Sequence, residues 1–166
     1  LIIDEVICGF GRTGKAFGHQ HFNLKPDIIT MAKGLTSAYL PLSVTAIRKD
    51  IYEKFDTGEE NSHFRHINTF GGNPAACAVA LKNLEIIEKE NLVERSAELG
   101  KRLQKELASL KDHPYVGDIR GLGFLLGIEL VENKETKMPA SNARVAKIIG
   151  ECKGNGLIIG RNGDTV

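Results

Sequence analysis

An α/β fold follows from three features of the amino-acid sequence. Short apolar runs at 1–6 and 28–31 each give way to charged residues at their C-terminal ends, the pattern of buried parallel strands that stop beside a site. Between 74 and 110, apolar residues recur at helical spacing. From 116 onward the runs follow a β-β-α-β order, which reads as an α+β lobe.

In chain order, the run Leu1-Ile2-Ile3-Asp4-Glu5-Val6 predicts a strand with Asp4 near its end. Gly9, Gly11, Gly14 and Gly18 punctuate a loop, Pro26-Asp27 marks a turn, and Ile28-Ile29-Thr30-Met31 predicts a second strand leading into Lys33-Gly34. A third β-prone run covers 42–47, and the polar stretch 56–61 predicts a loop. Pro74 suits the first turn of a helix of about four turns, carried by Ala75, Ala78, Val79, Leu81, Leu84, Ile86 and Ile87. Residues 92–110 repeat the pattern through Leu99, Leu103, Leu107 and Leu110, with Lys and Glu on the outer face. Strands near 116–120 and 124–130, a helix near 142–152 and a strand at 157–159 complete the expectation. The expected division is one domain over 1–90 and a second, smaller one over 91–166.

Composition narrows the function classes. Twenty-two basic and 21 acidic residues leave a net charge of +1, interleaved rather than massed, so neither a nucleic-acid nor a membrane-surface footprint is expected. Apolar stretches such as 122–128 are broken by glycine and fall short of the ~20 residues a spanning helix needs. Cys8, Cys77 and Cys152 are odd in number and far apart, which argues against a disulfide framework or a CxxC metal site and for a reducing cytoplasm. His19 and His21, two apart in a loop without nearby Cys or carboxylate ligands, form a weak metal signal, and no metal is expected.

Two constellations carry chemistry. Gly9-Phe10-Gly11-Arg12-Thr13-Gly14 is a literal GxGxxG after a strand, the fingerprint of a dinucleotide site and hence of an NAD-dependent dehydrogenase. Its third glycine should open a helix, yet 15–26 contains Gly18, clustered His and Asn, and little helical periodicity. The motif is therefore expected to be a decoy. The second constellation is Asp4 and Lys33, each at the end of an apolar strand. A lysine to bind an aldehyde and a carboxylate to keep a pyridine nitrogen protonated are what pyridoxal phosphate (PLP) chemistry needs. A structural ion pair between the two explains the same residues, and spacing leaves both readings open.

The order of motifs adds a resemblance. The run 1–6 with its glycine loop, Pro26-Asp27-Ile28 leading to Ala32-Lys33-Gly34-Leu35-Thr36-Ser37 and Pro41-Leu42-Ser43, Thr69-Phe70-Gly71-Gly72-Asn73-Pro74, and Arg120-Gly121-Leu122-Gly123 before Ile128-Glu129-Leu130 together resemble class III (omega) PLP-dependent aminotransferases. The resemblance implies the C-terminal half of a type I PLP-transferase large domain, with a mainly parallel sheet, followed by an incomplete small domain. It makes Lys33 the Schiff-base lysine, sets Asp4 against the pyridine nitrogen and Val6 on the ring face, and assigns Thr69 to the phosphate. That threonine commonly serves the partner subunit's cofactor, so a homodimer with shared active sites is implied. Arg161 falls near the family's arginine for a substrate carboxylate, though a surface arginine in a turn reads equally well. The implied reaction moves an amino group from an omega-amino acid or amine donor to an oxo acid such as pyruvate.

Cys8 stands where the family commonly has threonine, and Ala38 where glycine is frequent. The family's phosphate cup and ring-stacking aromatic precede the aspartate strand, and its last strand and helix follow the small domain, so the expectation is a partial pocket. Aminomutases share these motifs, and a cofactor-free interaction module is the alternative outside enzymes.

Overall fold

The computed structural model describes residues 1–64, 66 and 68–166. They form two compact units, Leu1–Ala97 and Glu98–Val166.

The first unit is built on a three-stranded mixed sheet in the order β1-β2-β3. Strand β1 (Ile2–Asp4) runs parallel to β2 (Ile28–Met31), with Asp4 opposite Thr30. Strand β3 (Val44–Ile47) is antiparallel to β2, with Val44 opposite Met31. A parallel pair needs a long crossover. Here residues 5–27 supply it as the glycine loop and a 3-10 turn at Gly18–Phe22, with no α-helix following Gly14. A single short turn, α1 (Lys49–Tyr52), follows the sheet.

Helix α2 (Pro74–Lys89) begins where local chemistry dictates. The Asn73 side-chain oxygen accepts the backbone N–H groups of Ala75 and Ala76 at 2.9 and 3.3 Å, and Pro74 occupies the first turn, where its missing N–H costs nothing. Ala76 and Ala80, one turn apart, are its buried residues. The helix ends before Asn91, whose left-handed backbone (φ 49°) breaks the repeat ahead of α3 (Leu92–Leu107). The helical repeat expected through 110 ends as a 3-10 turn at Ala108–Asp112.

The second unit contains the hairpin of β4 (Val116–Leu122) and β5 (Leu125–Asn133), closed by Gly123-Phe124, the two-residue β6 (Met138–Pro139) and α4 (Asn142–Gly154). Ser141 caps α4 by accepting the Arg144 N–H at 3.4 Å. Val116, Leu130, Ala140 and Val145 form the core, Val145 being fully buried. The strand expected at 157–159 is not formed. Leu157 and Ile158 are 55 % and 85 % exposed, and the place beside β5 is taken by the chain's last residues, with Ile128 and Val166 exchanging backbone hydrogen bonds at 2.7 and 3.0 Å. An apolar run becomes a strand only where a ladder partner is free, so the observed order is β-β-β-α rather than β-β-α-β. Among the described residues no helix is long and apolar enough to cross a membrane.

Candidate active site

The parallel register of β1 and β2 sends both strand ends to the same sheet edge, and Asp4 and Lys33 sit at that edge. This is where open α/β sheets take ligands. Lys33 is exposed and lies on a cavity of about 480 Å³, shared with Thr36, Ser43, Asn68 and Phe70. Its backbone is left-handed (φ 40°), as are Ser37 (φ 48°) and Ala38 (φ 63°) in the same turn. Such a conformation costs a non-glycine residue roughly 1–2 kcal/mol, and strain of this kind concentrates where a side chain is held for use.

Asp4 is exposed, and its Oδ1 accepts the Val6 N–H at 2.8 Å. Val6 itself is half-buried. Neither Asp4 nor Lys33 has an ion-pair partner among the described residues, so the structural pair between them is not formed. Thr69 lies in an exposed turn between Asn68 and Phe70, which both line the Lys33 cavity. Arg161 belongs to the second unit, where its Nη1 donates to Asn142 Oδ1 at 3.4 Å.

The glycine loop acquires a different purpose from the one its motif advertises. A side chain at Gly14 would come within 2.8 Å of the Ala97 backbone, and one at Gly11 within 3.3 Å of Val93, so these glycines permit close packing on α3. Gly34 packs closely too, since a Cβ there would stand 3.1 Å from Phe10 Cβ. The loop thus braces the turn that carries Lys33. His19 and His21 are also absorbed structurally: His19 Nδ1 lies 2.8 Å from Glu5, and His21 Nε2 lies 3.1 Å from Thr13.

Two residues that motif reading passes over organise the site. Glu5 is 1 % exposed and accepts the N–H groups of Gly18 and His19 at 2.9 and 2.8 Å, besides the imidazole. Being next to Asp4 on an extended segment, it points to the opposite face. Asn83 of α2 donates from Nδ2 to the carbonyls of Gly34 and Leu35 at 2.7 and 3.1 Å, and its Oδ1 accepts the Ser37 hydroxyl at 2.8 Å. A legible signal existed for it: Asn83 interrupts the apolar stripe of Ala76, Val79, Ala80 and Ile87. Cys8 has its thiol pushed up by burial, with the Glu5 and Asp4 charges adding to the effect.

Lys33 and Asp4, neither of them ion-paired among the described residues, thus lie at one edge of a mixed α/β sheet. The whole chain, residues 1–166, matches the family model for class-III aminotransferases, a PLP-dependent group, and the chain belongs to that family. It is 61 % identical over 166 residues to the uncharacterized aminotransferase YhxA of Bacillus subtilis (strain 168), covering all of this chain and 37 % of that protein. It is 48 % identical over 164 residues to the taurine–pyruvate aminotransferase of Bilophila wadsworthia, covering 97 % of this chain and 36 % of that enzyme. The crystal structure of a Bacillus anthracis aminotransferase superimposes with a TM-score of 0.96 at 65 % identity, over 100 % of this chain and 37 % of that one. The chain therefore spans little more than a third of the length of these relatives.

Proposed function

We propose that this chain carries the cofactor lysine of a PLP-dependent aminotransferase that moves an amino group from an amine or omega-amino acid donor to an oxo acid such as pyruvate. The observation that carries the proposal is the placement of Lys33, strained and exposed, on the same sheet edge as Asp4, with neither of them ion-paired among the described residues. The residues fit the cofactor. The cavity of about 480 Å³ beside Lys33 is within the range of small-molecule pockets, and Asp4 keeps a carboxylate oxygen clear of ion pairs among the described residues.

When bound, PLP supplies an electron sink for charge developing at the donor carbon. The Asp4 carboxylate holds a proton on the pyridine nitrogen. Lys33 Nζ would hold the aldehyde and would carry the proton released at the donor carbon. Val6 would pack against the ring, Thr69 would donate its hydroxyl to the phosphate of the partner subunit's cofactor, and Arg161 would hold a substrate carboxylate with its planar fork. On this reading the enzyme is a homodimer with shared active sites, working in the cytoplasm, and 1–90 and 91–166 belong to the large domain of a type I transferase, with a mainly parallel sheet, and to its small domain. Pyruvate as acceptor draws support from the taurine–pyruvate relative. The packing of Gly11 and Gly14 on α3 removes the support for a nicotinamide site.

The test is an absorption spectrum of the full-length enzyme with added PLP, wild type against Lys33→Ala. A band near ~410–430 nm that needs the lysine is expected. Identical spectra of free aldehyde in both proteins would overturn the reading, and nicotinamide binding would be measured next.

A further inference from the structure

We propose that Asn83 is a positioning residue for Lys33, holding from helix α2 the strained turn that presents the lysine amine to its cavity. The proposal rests on the reading of Lys33 as the cofactor lysine.

The turn from Lys33 to Ala38 has three non-glycine residues in left-handed backbone. Nothing in its local sequence favours that conformation, since only glycine, and to a lesser degree Asn and Asp, enter it readily. The geometry has to be imposed by side-chain hydrogen bonds. Thr36, buried at 2 % exposure, closes one side by donating its hydroxyl to the Leu40 carbonyl at 2.7 Å. Asn83 closes the other. Its carboxamide uses both donor protons on successive carbonyls, those of Gly34 and Leu35, and its oxygen on the Ser37 hydroxyl. All three partners lie within the four residues after Lys33, and they come from 46 to 49 positions away in sequence.

The chemistry of the clamp is specific. A carboxylate of the same shape keeps the Ser37 contact but offers no proton to either carbonyl and repels both. A leucine of similar volume makes none of the three bonds. A glutamine retains donor and acceptor on a longer stem. A residue serving only to fill space between α2 and the turn would tolerate leucine best, whereas a clamp tolerates glutamine best. Release of the clamp lets the turn relax toward right-handed backbone, which swings Lys33 away from the edge it shares with Asp4. Displacements of about 1 Å at such a group change reactivity by up to about a hundredfold.

The experiment is competitive acylation of the cofactor-free full-length enzyme, with the extent of reaction at Lys33 read by peptide mass spectrometry and normalised to the other lysines. Wild type, Asn83→Asp, Asn83→Leu, Asn83→Gln, Ser37→Ala and, as a control for general loosening, Ser141→Ala in the second unit are compared. The expected result is a change of about 5–20-fold in normalised Lys33 labelling for Asn83→Asp and Asn83→Leu, a smaller one for Ser37→Ala, recovery in Asn83→Gln, and the wild-type rate in Ser141→Ala. Wild-type labelling in Asn83→Asp and Asn83→Leu overturns the proposal, as does an equal change in Ser141→Ala. If Asn83→Leu fails to fold, Asn83→Asp and Ser37→Ala decide the matter by the same measure. The PLP spectrum of Lys33→Ala keeps the two readings apart. Loss of the lysine-dependent band together with unchanged labelling in the Asn83 variants sinks only the clamp. An unaltered spectrum in Lys33→Ala removes the functional reading and the clamp's purpose with it.

Discussion

At the residue scale, the buried carboxylate of Glu5 does more for the site's stability than its silence in motif searches implies. It satisfies two backbone N–H groups and an imidazole in a place water does not reach. Glu5→Ala leaves these donors without partners, and a loss of about 2–4 kcal/mol in chemical unfolding is expected from stranding several buried groups. Ala38 offers the opposite sign. Its left-handed backbone (φ 63°) costs roughly 1–2 kcal/mol, against roughly 0.4–1 kcal/mol that glycine adds to the entropy of the unfolded chain. Strain wins, so Ala38→Gly raises the melting temperature by a small, measurable amount. A third prediction concerns pH. The Arg144 guanidinium, 2.6 Å from Glu132, and the Ser141 N–H, 3.0 Å from it, bring the Glu132 carboxyl down to about 2 from its ordinary 4.5. A carboxyl lowered in the folded state contributes stability above its unfolded value, and that contribution disappears as pH falls from 4.5 toward 2. Urea midpoints measured across that window should fall less steeply in Glu132→Gln than in wild type, and parallel curves would show that the Arg144 contact is energetically idle.

At the scale of elements, α2 carries two assignments on one rod: the turn holding Thr69 precedes its N-terminus, and Asn83 lies further along it. Its start depends on Asn73, whose oxygen serves two of the first N–H groups. Asn73→Ala is expected to cost about 0.5–2 kcal/mol by thermal denaturation, while Asn73→Ser costs little, since a hydroxyl caps nearly as well. Elements with strong local chemistry were legible in advance. Pro74 and the apolar repeat predicted α2, and Ser141 with the pattern after it agrees with α4. The run at 157–159 was misread because a strand needs a neighbour, and periodicity says nothing about who has taken the place beside β5. The two-residue β6 was invisible for a related reason, being too short to show a period.

At the scale of the whole molecule, the two units differ in how they are stabilised. The second has a contiguous apolar core centred on Val145, whereas the strands of the first unit are exposed or half-buried, a covering short of what parallel sheets ordinarily receive. In the full-length enzyme, ligand linkage gives a global test of the functional proposal. PLP at about a hundred times its dissociation constant stabilises a folded state that alone binds it by ~2.7 kcal/mol, so the melting temperature should rise in wild type and rise less in Lys33→Ala at the same concentration. A melting temperature that rises with protein concentration would support the shared-site dimer, and one independent of concentration would count against it. The sequence by itself determined the family, through the order of its motifs, the place of Lys33 and Asp4 at the ends of apolar runs, and the helices whose caps and periods are local. Tertiary structure alone decided that the GxGxxG loop packs on α3 and Gly34, that Glu5 and Asn83 bind backbone groups near Asp4 and Lys33, and that these two have no ion-pair partner among the described residues. Those outcomes depend on contacts between residues far apart in the chain, and a local pattern carries no record of which distant group will arrive to complete it.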